Sequence, residues 1–434
     1  VVVKSLRLVN FRSYCDATVR FGPGLNIVVG ANASGKTNLL EAAWFALRGN
    51  SPRTRREEKL ITWGESFSRV ELEVDDDAAG AQTVDVGFAP GRGKRVRWSG
   101  LELESIEELR GRSQVFVFVP ESLLLVKGSP ARRRAHLDAF ASALDPQYAA
   151  AARDMQAVLR QRNAQLGAVK QGGDPGALDP WDVQFARAAV ELGRRRRDLV
   201  GELRERFAAA ASALAPAGER FTLLLVAQLE SVQYNEAALL DELRRRRPGE
   251  VGRGLSLFGP HRDDLRFLEV GAAPQSSGGD GRERPPELEG EPPAPSAEGP
   301  AAVVASGPAC GPVELPRGGR DLRLFGSQGE QRAAVLALLL AEQQLAASRT
   351  GEQGALFLDD VMSELDDARR RLLVAMLATA GQAIITTTNR HYFTAEELAS
   401  ANVIDLPLEG SLAAGRVAPP PDAAGPAPPA IDAL

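Results

Sequence analysis

Short apolar runs separated by turn residues fill positions 1–29. Val1-Val2-Val3-Lys4-Ser5-Leu6-Arg7-Leu8 reads as a first strand and Leu25-Asn26-Ile27-Val28-Val29 as a buried one, with a further strand between them. Phe11-Arg12-Ser13-Tyr14 and Gly22-Pro23-Gly24 supply the turns. Thr37-Asn38-Leu39-Leu40-Glu41-Ala42-Ala43-Trp44-Phe45 then has the spacing of a helix. Alternation returns in Ser68-Arg69-Val70-Glu71-Leu72-Glu73-Val74, Thr83-Val84-Asp85-Val86 and Arg95-Val96-Arg97-Trp98, which predict half-exposed antiparallel strands of a β-subdomain. Gln114-Val115-Phe116-Val117-Phe118-Val119 predicts another buried strand, stopped by Pro120.

From about Ala131 to Arg247 the pattern is helical and rich in Ala, Leu, Gln and Arg, with breaks at Gly172-Gly173-Asp174-Pro175 and at the strand-like Phe221-Thr222-Leu223-Leu224-Leu225-Val226. Its periodic segments are too short for an extended coiled-coil arm. Two strands are predicted at Arg266-Phe267-Leu268-Glu269-Val270 and Arg320-Asp321-Leu322-Arg323-Leu324. Residues 271–319 between them carry no aromatic side chain and are dense in Gly, Pro, Ala, Ser and Glu, the composition of a disordered insert. Residues 413–434 predict a disordered tail.

Composition narrows the function classes. At 434 residues, with 44% hydrophobic and 25% charged residues, the chain has the size and balance of a multi-unit globular protein. No apolar run reaches the length of a membrane span, and the N-terminal stretch lacks a secretory pattern, so a cytoplasmic protein is expected. Cys15 and Cys310 are too few for a disulfide framework. The net charge of −5 argues against diffuse nucleic-acid binding, so any DNA contact must be local. Arg132-Arg133-Arg134, Arg194-Arg195-Arg196-Arg197, Arg244-Arg245-Arg246-Arg247 and the trio Arg53, Arg55 and Arg56 are open to two readings, phosphate contacts or solvated helix faces.

The clearest chemistry lies at Gly30-Ala31-Asn32-Ala33-Ser34-Gly35-Lys36-Thr37, which fits G-x-x-x-x-G-K-[ST] between a strand and a helix. Backbone N–H groups from Gly30 through Asn38 would cradle nucleotide phosphates, Lys36 would reach the β/γ oxygens, and the Thr37 hydroxyl would ligate Mg²⁺. Ala355-Leu356-Phe357-Leu358-Asp359-Asp360 reads as a buried strand ending in paired carboxylates. Asp359 is expected at the metal and Asp360 at the attacking water. A third pattern, Phe325-Gly326-Ser327-Gln328-Gly329-Glu330-Gln331-Arg332, opens the apolar helix Ala333–Glu342, where Ser327 can cap and Gly329 admits a phosphate. His261 with Asp263 and Asp264 is read as an ordered turn rather than a metal site, because no second histidine is near in sequence.

S-x-G-[EQ] before an acidic strand resembles the signature loop of ABC-type ATPases, and Ser363-Glu364-Leu365-Asp366 resembles their D-loop. Ala383-Ile384-Ile385-Thr386-Thr387-Thr388-Asn389 resembles that superfamily's last strand and switch. The phosphate, signature and acid-strand motifs, together with Asn10-Phe11-Arg12-Ser13-Tyr14 and Gly259-Pro260-His261-Arg262-Asp263-Asp264-Leu265, resemble the RecF family of bacterial DNA replication and repair ATPases. The resemblance implies an α/β fold: an ABC-type phosphate-loop head with a β-subdomain and an inserted, mainly helical lobe. It implies head segments at 1–125 and at 251–270 with 320–412, and the lobe at 126–250. It further implies ATP with Mg²⁺, weak ATP hydrolysis linked to DNA binding, and an ATP-dependent homodimer in which Ser327, Gly329 and Glu330 complete the partner's site. DNA gaps and junctions, RecR and RecO as partners, and a place in the response to DNA damage and the SOS response are implied by the same likeness. A chromosome-maintenance clamp, which would need long coiled-coil arms, and a transport ATPase subunit are the alternatives. Ala33 departs from the family, which often has glycine there.

Overall fold

The structure, a computed structural model, describes residues 2–76, 80–112, 114–215, 218–270 and 319–411. In chain order its strands are β1 (Val2–Phe11), β2 (Tyr14–Arg20), β3 (Leu25–Val29), β4 (Ser68–Asp76), β5 (Gly80–Ala89), β6 (Gly93–Trp98), β7 (Leu101–Glu102), β8 (Val115–Phe118), β9 (Phe221–Val226), β10 (Asp264–Val270), β11 (Gly319–Asp321), β12 (Ala355–Leu358), β13 (Ala383–Thr387) and β14 (Asn402–Asp405). The longer helices are α1 (Lys36–Arg48), α2 (Pro130–Leu144), α3 (Pro146–Lys170), α4 (Asp179–Ala213), α5 (Glu236–Arg253), α6 (Gln328–Thr350) and α7 (Asp367–Leu377).

A parallel sheet in the order β14-β3-β13-β12-β8 forms the centre. Strands covered on both faces read as continuous apolar runs, and every residue of β12 and β13 is buried. Burying a side chain such as Ile384 or Ile385 contributes about 2–3 kcal/mol. In an open α/β sheet the C-terminal strand ends form the ligand edge. Here β3 delivers the glycine-rich loop to that edge and β12 delivers the two acids, with β13 lying between them in register.

A six-stranded antiparallel sheet, β2-β1-β4-β5-β6-β7, stands beside the centre as the β-subdomain. Its inner face packs on α1 through Leu6, Leu8, Phe11, Val70 and Leu72, while its alternate residues meet solvent. The helical segment α2–α5 includes β9, which joins β10 and β11 in a third sheet. The long α4 turns an apolar stripe of Phe185, Ala189, Leu199, Leu203 and Phe207 inward, against α3, α6 and β9.

One predicted strand is corrected. Arg320–Leu324 alternates like a strand, yet β11 ends at Asp321, whose carboxylate accepts from Arg323 N–H at 2.9 Å and starts a one-turn helix, Leu322–Phe325. The predicted insert also ends one residue early, because Gly319 already pairs with Val270. Residues 271–318 and 412–434 lie outside the described residues, as does Cys310. The chain leaves β10 and re-enters β11 at directly opposed positions, Val270 and Gly319, so the two strands pair antiparallel on either side of the insert.

Candidate functional site

The phosphate-loop geometry follows from close approaches that only glycine allows at two positions. A Cβ on Gly30 would lie 2.4 Å from Ser34 Oγ, and one on Gly35, at φ 101°, would lie 2.6 Å from the Tyr14 hydroxyl. Tyr14 donates to the Gly35 carbonyl at 3.0 Å from beneath the loop. Ala33 holds φ 65°, the left-handed region in which its Cβ is unfavourable. Lys36 donates to the carbonyls of Gly30 at 2.8 Å and Ala31 at 2.9 Å, so its ammonium lies inside the loop. Burial pushes its pKa down, opposed by the charges of Asp360 and Asp359. Ser34 Oγ is buried and has no partner among the described residues.

Across the sheet edge, Thr37 Oγ1 donates to the Asp359 carboxylate at 2.8 Å from Oδ2. Thr386, from β13, donates to Asp359 Oδ1 at 2.7 Å. Burial pushes the Asp359 carboxyl up, against those donors. Asp360 N–H in turn donates to Thr386 Oγ1 at 2.9 Å, and Asp360 holds φ 47°. A hydroxyl beside a carboxylate is an all-oxygen donor set that suits a hard cation such as Mg²⁺. The loop's tight glycines, its buried unpartnered hydroxyl and the adjacent ammonium fit a polyphosphate.

The β1–β2 hairpin braces this loop from behind. Tyr14 reaches Gly35, Ser13 Oγ accepts from Asn38 Nδ2 at 3.0 Å, and Arg12 forks onto Glu41 at 2.8 and 3.0 Å. Positions 35, 38 and 41 share one face at the start of α1. Glu41, whose side chain is fully buried, also accepts from Arg53 at 3.2 Å and Ser51 at 2.5 Å.

Ser327 is exposed and forms a reciprocal capping box, accepting from Glu330 N–H at 3.2 Å while the Glu330 carboxylate accepts Ser327 N–H at 2.6 Å. Burial pushes the Glu330 carboxyl up, but Ser327 and Arg320 outweigh it and hold the group below its usual range. Gly329 stands half-exposed beside Arg369. Within the chain, then, Ser327 and Glu330 are both engaged in the reciprocal cap, with Ser327 exposed and Gly329 half-exposed.

With this geometry in place, comparison with known proteins is decisive. The family described as an AAA domain matches residues 5–119. The DNA replication and repair protein RecF of Heliobacterium modesticaldum is 32% identical over 418 residues, covering 92% of this chain and 96% of that protein. RecF of Acidothermus cellulolyticus is 34% identical, covering 88% and 92%.

The chain belongs to the RecF family.

The solved structure of the recombination mediator protein RecF-ATP in the RecFOR pathway superposes with a TM-score of 0.70 at 25% identity, covering 91% of this chain and 93% of that one. An Smc head domain with an extended coiled coil, from Pyrococcus furiosus, superposes at a TM-score of 0.52 and 15% identity, sharing the fold alone. The expected ABC-type head with its β-subdomain and helical lobe is the fold of this RecF-family chain. No helix among the described residues is long and apolar enough to cross a membrane.

The arginine runs divide on the structure. Arg133 is buried and forks onto Asp264 at 2.7 and 3.0 Å; Arg134 donates to the Asp263 carbonyl at 2.6 Å. Arg196, also buried, joins Asp263 at 2.8 Å and Asp138 at 2.9 Å, and Arg247 joins Asp179 and Asp182, each at 2.6 Å. Arg244, Arg245 and Arg246 pair with Asp241 and Glu242 on their own helix. Most of these cations therefore neutralise carboxylates within the lobe. The Asp263-Asp264 turn carries the counter-charges that fasten Arg133 of α2 and Arg196 of α4 to the start of β10, and burial pushes His261 down to about 4. Arg53, Arg55, Arg56, Arg132, Arg194, Arg197, Arg244 and Arg245 are exposed.

Tyr14, Glu41 and Thr386 lie in stretches quoted from the sequence, but sequence reasoning gave them no role in the site. Glu41 had a signal, a carboxylate on the apolar side of an otherwise clean helical stripe. For Thr386 the signal was a hydroxyl at the end of an apolar strand, but its neighbour strand is not readable from spacing.

Proposed function

We propose that this chain is an ATP-dependent DNA-binding protein of recombinational repair and replication maintenance, acting in the cytoplasm as a weak ATPase. The carrying observation is the Thr37–Asp359 contact, which brings phosphate loop and acid pair to one edge. In this reading the loop from Gly30 to Asn38 binds ATP, and Thr37 and Asp359 hold Mg²⁺, which when bound neutralises the β/γ oxygens. Lys36 leaves the Gly30 and Ala31 carbonyls for phosphate oxygen. Asp360 orients the attacking water and accepts its proton. Ser327, Gly329 and Glu330 at the outward-facing end of α6 complete the site of a second copy, so that ATP binding dimerises the protein and hydrolysis releases it.

The names of the relatives, a replication and repair protein and a recombination mediator, support a role in DNA repair and replication; gaps and single/double-strand junctions as the DNA substrate are what the family resemblance implies. RecR and RecO as partners in loading recombinase are implied by the same resemblance. The head would comprise 1–125 with 251–270 and 320–412, and the lobe 126–250. ATP turnover measured with and without gapped DNA tests the proposal: turnover that rises with DNA and vanishes in Lys36→Ala is expected. DNA-independent turnover, or nucleotide binding undiminished in Lys36→Ala, would overturn it.

A further inference from the structure

We propose that Thr386 is a positioning residue for hydrolysis, one hydroxyl that sets the orientation of both acids at the end of β12. The inference rests on the assignment of Asp359 to metal and Asp360 to water made above.

Thr386 is fully buried in β13. A backbone N–H can only donate, so the 2.9 Å contact from Asp360 N–H makes Thr386 Oγ1 an acceptor there. Its single proton is then directed to Asp359 Oδ1 at 2.7 Å. Donating to one acid and accepting from the next, the hydroxyl has its direction fixed. The neighbouring Thr387 does not share this role, because its hydroxyl is engaged with Asn389.

The contact comes where the sheet stops supporting the chain. Asp359 N–H still bonds the Phe118 carbonyl at 2.8 Å, the last ladder bond of β12 with β8. At Asp360 the backbone turns into the left-handed region, φ 47°, which L side chains seldom adopt, and Thr386 Oγ1 receives its N–H. That turn determines where the Asp360 carboxylate points. Its Oδ1 is buried with no partner among the described residues, leaving accepting capacity for a water proton.

The two hydroxyls on Asp359 differ in consequence. Thr37 Oγ1 donates its proton and keeps lone pairs that could ligate a cation, whereas Thr386 Oγ1, behind the carboxylate, is engaged as donor to one acid and acceptor from the next. Thr386 therefore keeps Asp359 in one orientation throughout the cycle, and through the Asp360 N–H it keeps the water-directing acid in step.

The test uses the full chain with gapped DNA and Mg²⁺, comparing wild type, Thr386→Val, Thr386→Ser and Asp360→Asn. Valine keeps the shape and removes both hydrogen bonds. A fluorescent ATP analogue should bind Thr386→Val within about threefold of wild type, while single-turnover hydrolysis falls about ten- to a hundredfold, the loss of one charge-assisted bond. The Mg²⁺ concentration for half-maximal turnover should rise. Thr386→Ser should regain turnover to within about threefold and restore the Mg²⁺ midpoint, a rescue that bulk packing alone would not give. Thr386→Val with wild-type turnover beside an inactive Asp360→Asn would overturn this inference alone. An Asp360→Asn variant that hydrolyses normally would overturn the assignment beneath it. If Thr386→Val fails to fold, Thr386→Cys, which keeps the size and only a weak donor, replaces it, and wild-type turnover there would equally refute the role.

Discussion

Thr37 Oγ1 lies 2.8 Å from Asp359 Oδ2 although 322 residues separate them in the chain. The contact exists because β3 and β12 flank β13 in register and end at the same edge. We expect Asp359→Asn to remove the Mg²⁺ enhancement of nucleotide binding while leaving Mg²⁺-free binding within about threefold. Titrating a fluorescent nucleotide with and without Mg²⁺ checks this. Because burial pushes the Asp359 carboxyl up, the wild-type Mg²⁺ enhancement should fall away as pH drops through that raised value, at higher pH than an exposed aspartate would give.

Glu41 gathers Arg12, Arg53 and Ser51 in a site closed to solvent on its own side. Glu41→Ala leaves partly exposed guanidinium groups without their carboxylate and unpins α1. We expect a loss of about 2–3 kcal/mol in urea unfolding, with weaker nucleotide binding. The conservative Glu41→Gln should fall between the two.

Much of this architecture was legible before folding was considered. The glycine-rich loop, the acid-ended strand and the capped helix α6 are local patterns of period and cap, and as structural elements each forms where the sequence predicts it. Glu41 shows only as a lone carboxylate on an apolar stripe, because its partner Arg12 comes from the β1–β2 turn, and Thr386 meets the acids only because β13 pairs with β12; period encodes neither contact. Arg320–Leu324 misled for a local reason: Asp321 satisfies the strand alternation and a helix cap equally well, and the cap formed. The arginine runs were ambiguous because charge along a helix does not say which carboxylates fold against it.

Ala33, at φ 65°, occupies a conformation glycine adopts without penalty. Relief of Cβ strain opposes the greater freedom of glycine in the unfolded chain, and the strain is the larger quantity. We expect Ala33→Gly to raise stability by up to about 1 kcal/mol, measured by thermal unfolding without nucleotide.

His136 Nε2 meets Glu342 at 2.8 Å, joining α2 to α6. Burial pulls the imidazole pKa down, but the Glu342 charge and hydrogen bond outweigh it and raise the group above its usual 6.5. A histidine raised in the folded state adds stability that is fully present below pH 6.5 and lost as pH climbs through the raised value. Melting temperature from pH 6 to pH 9 should therefore fall more steeply in wild type than in Glu342→Gln.

The central claim, a nucleotide-driven sandwich of two heads, is tested most directly by solution molar mass from light scattering, with and without ATP and Mg²⁺. We expect the mass to double only when both are present. Ser327→Arg should bind ATP normally and remain a monomer. A wild-type monomer under both conditions, with ATP shown to be bound, or a Ser327→Arg variant that still doubles, would contradict the account.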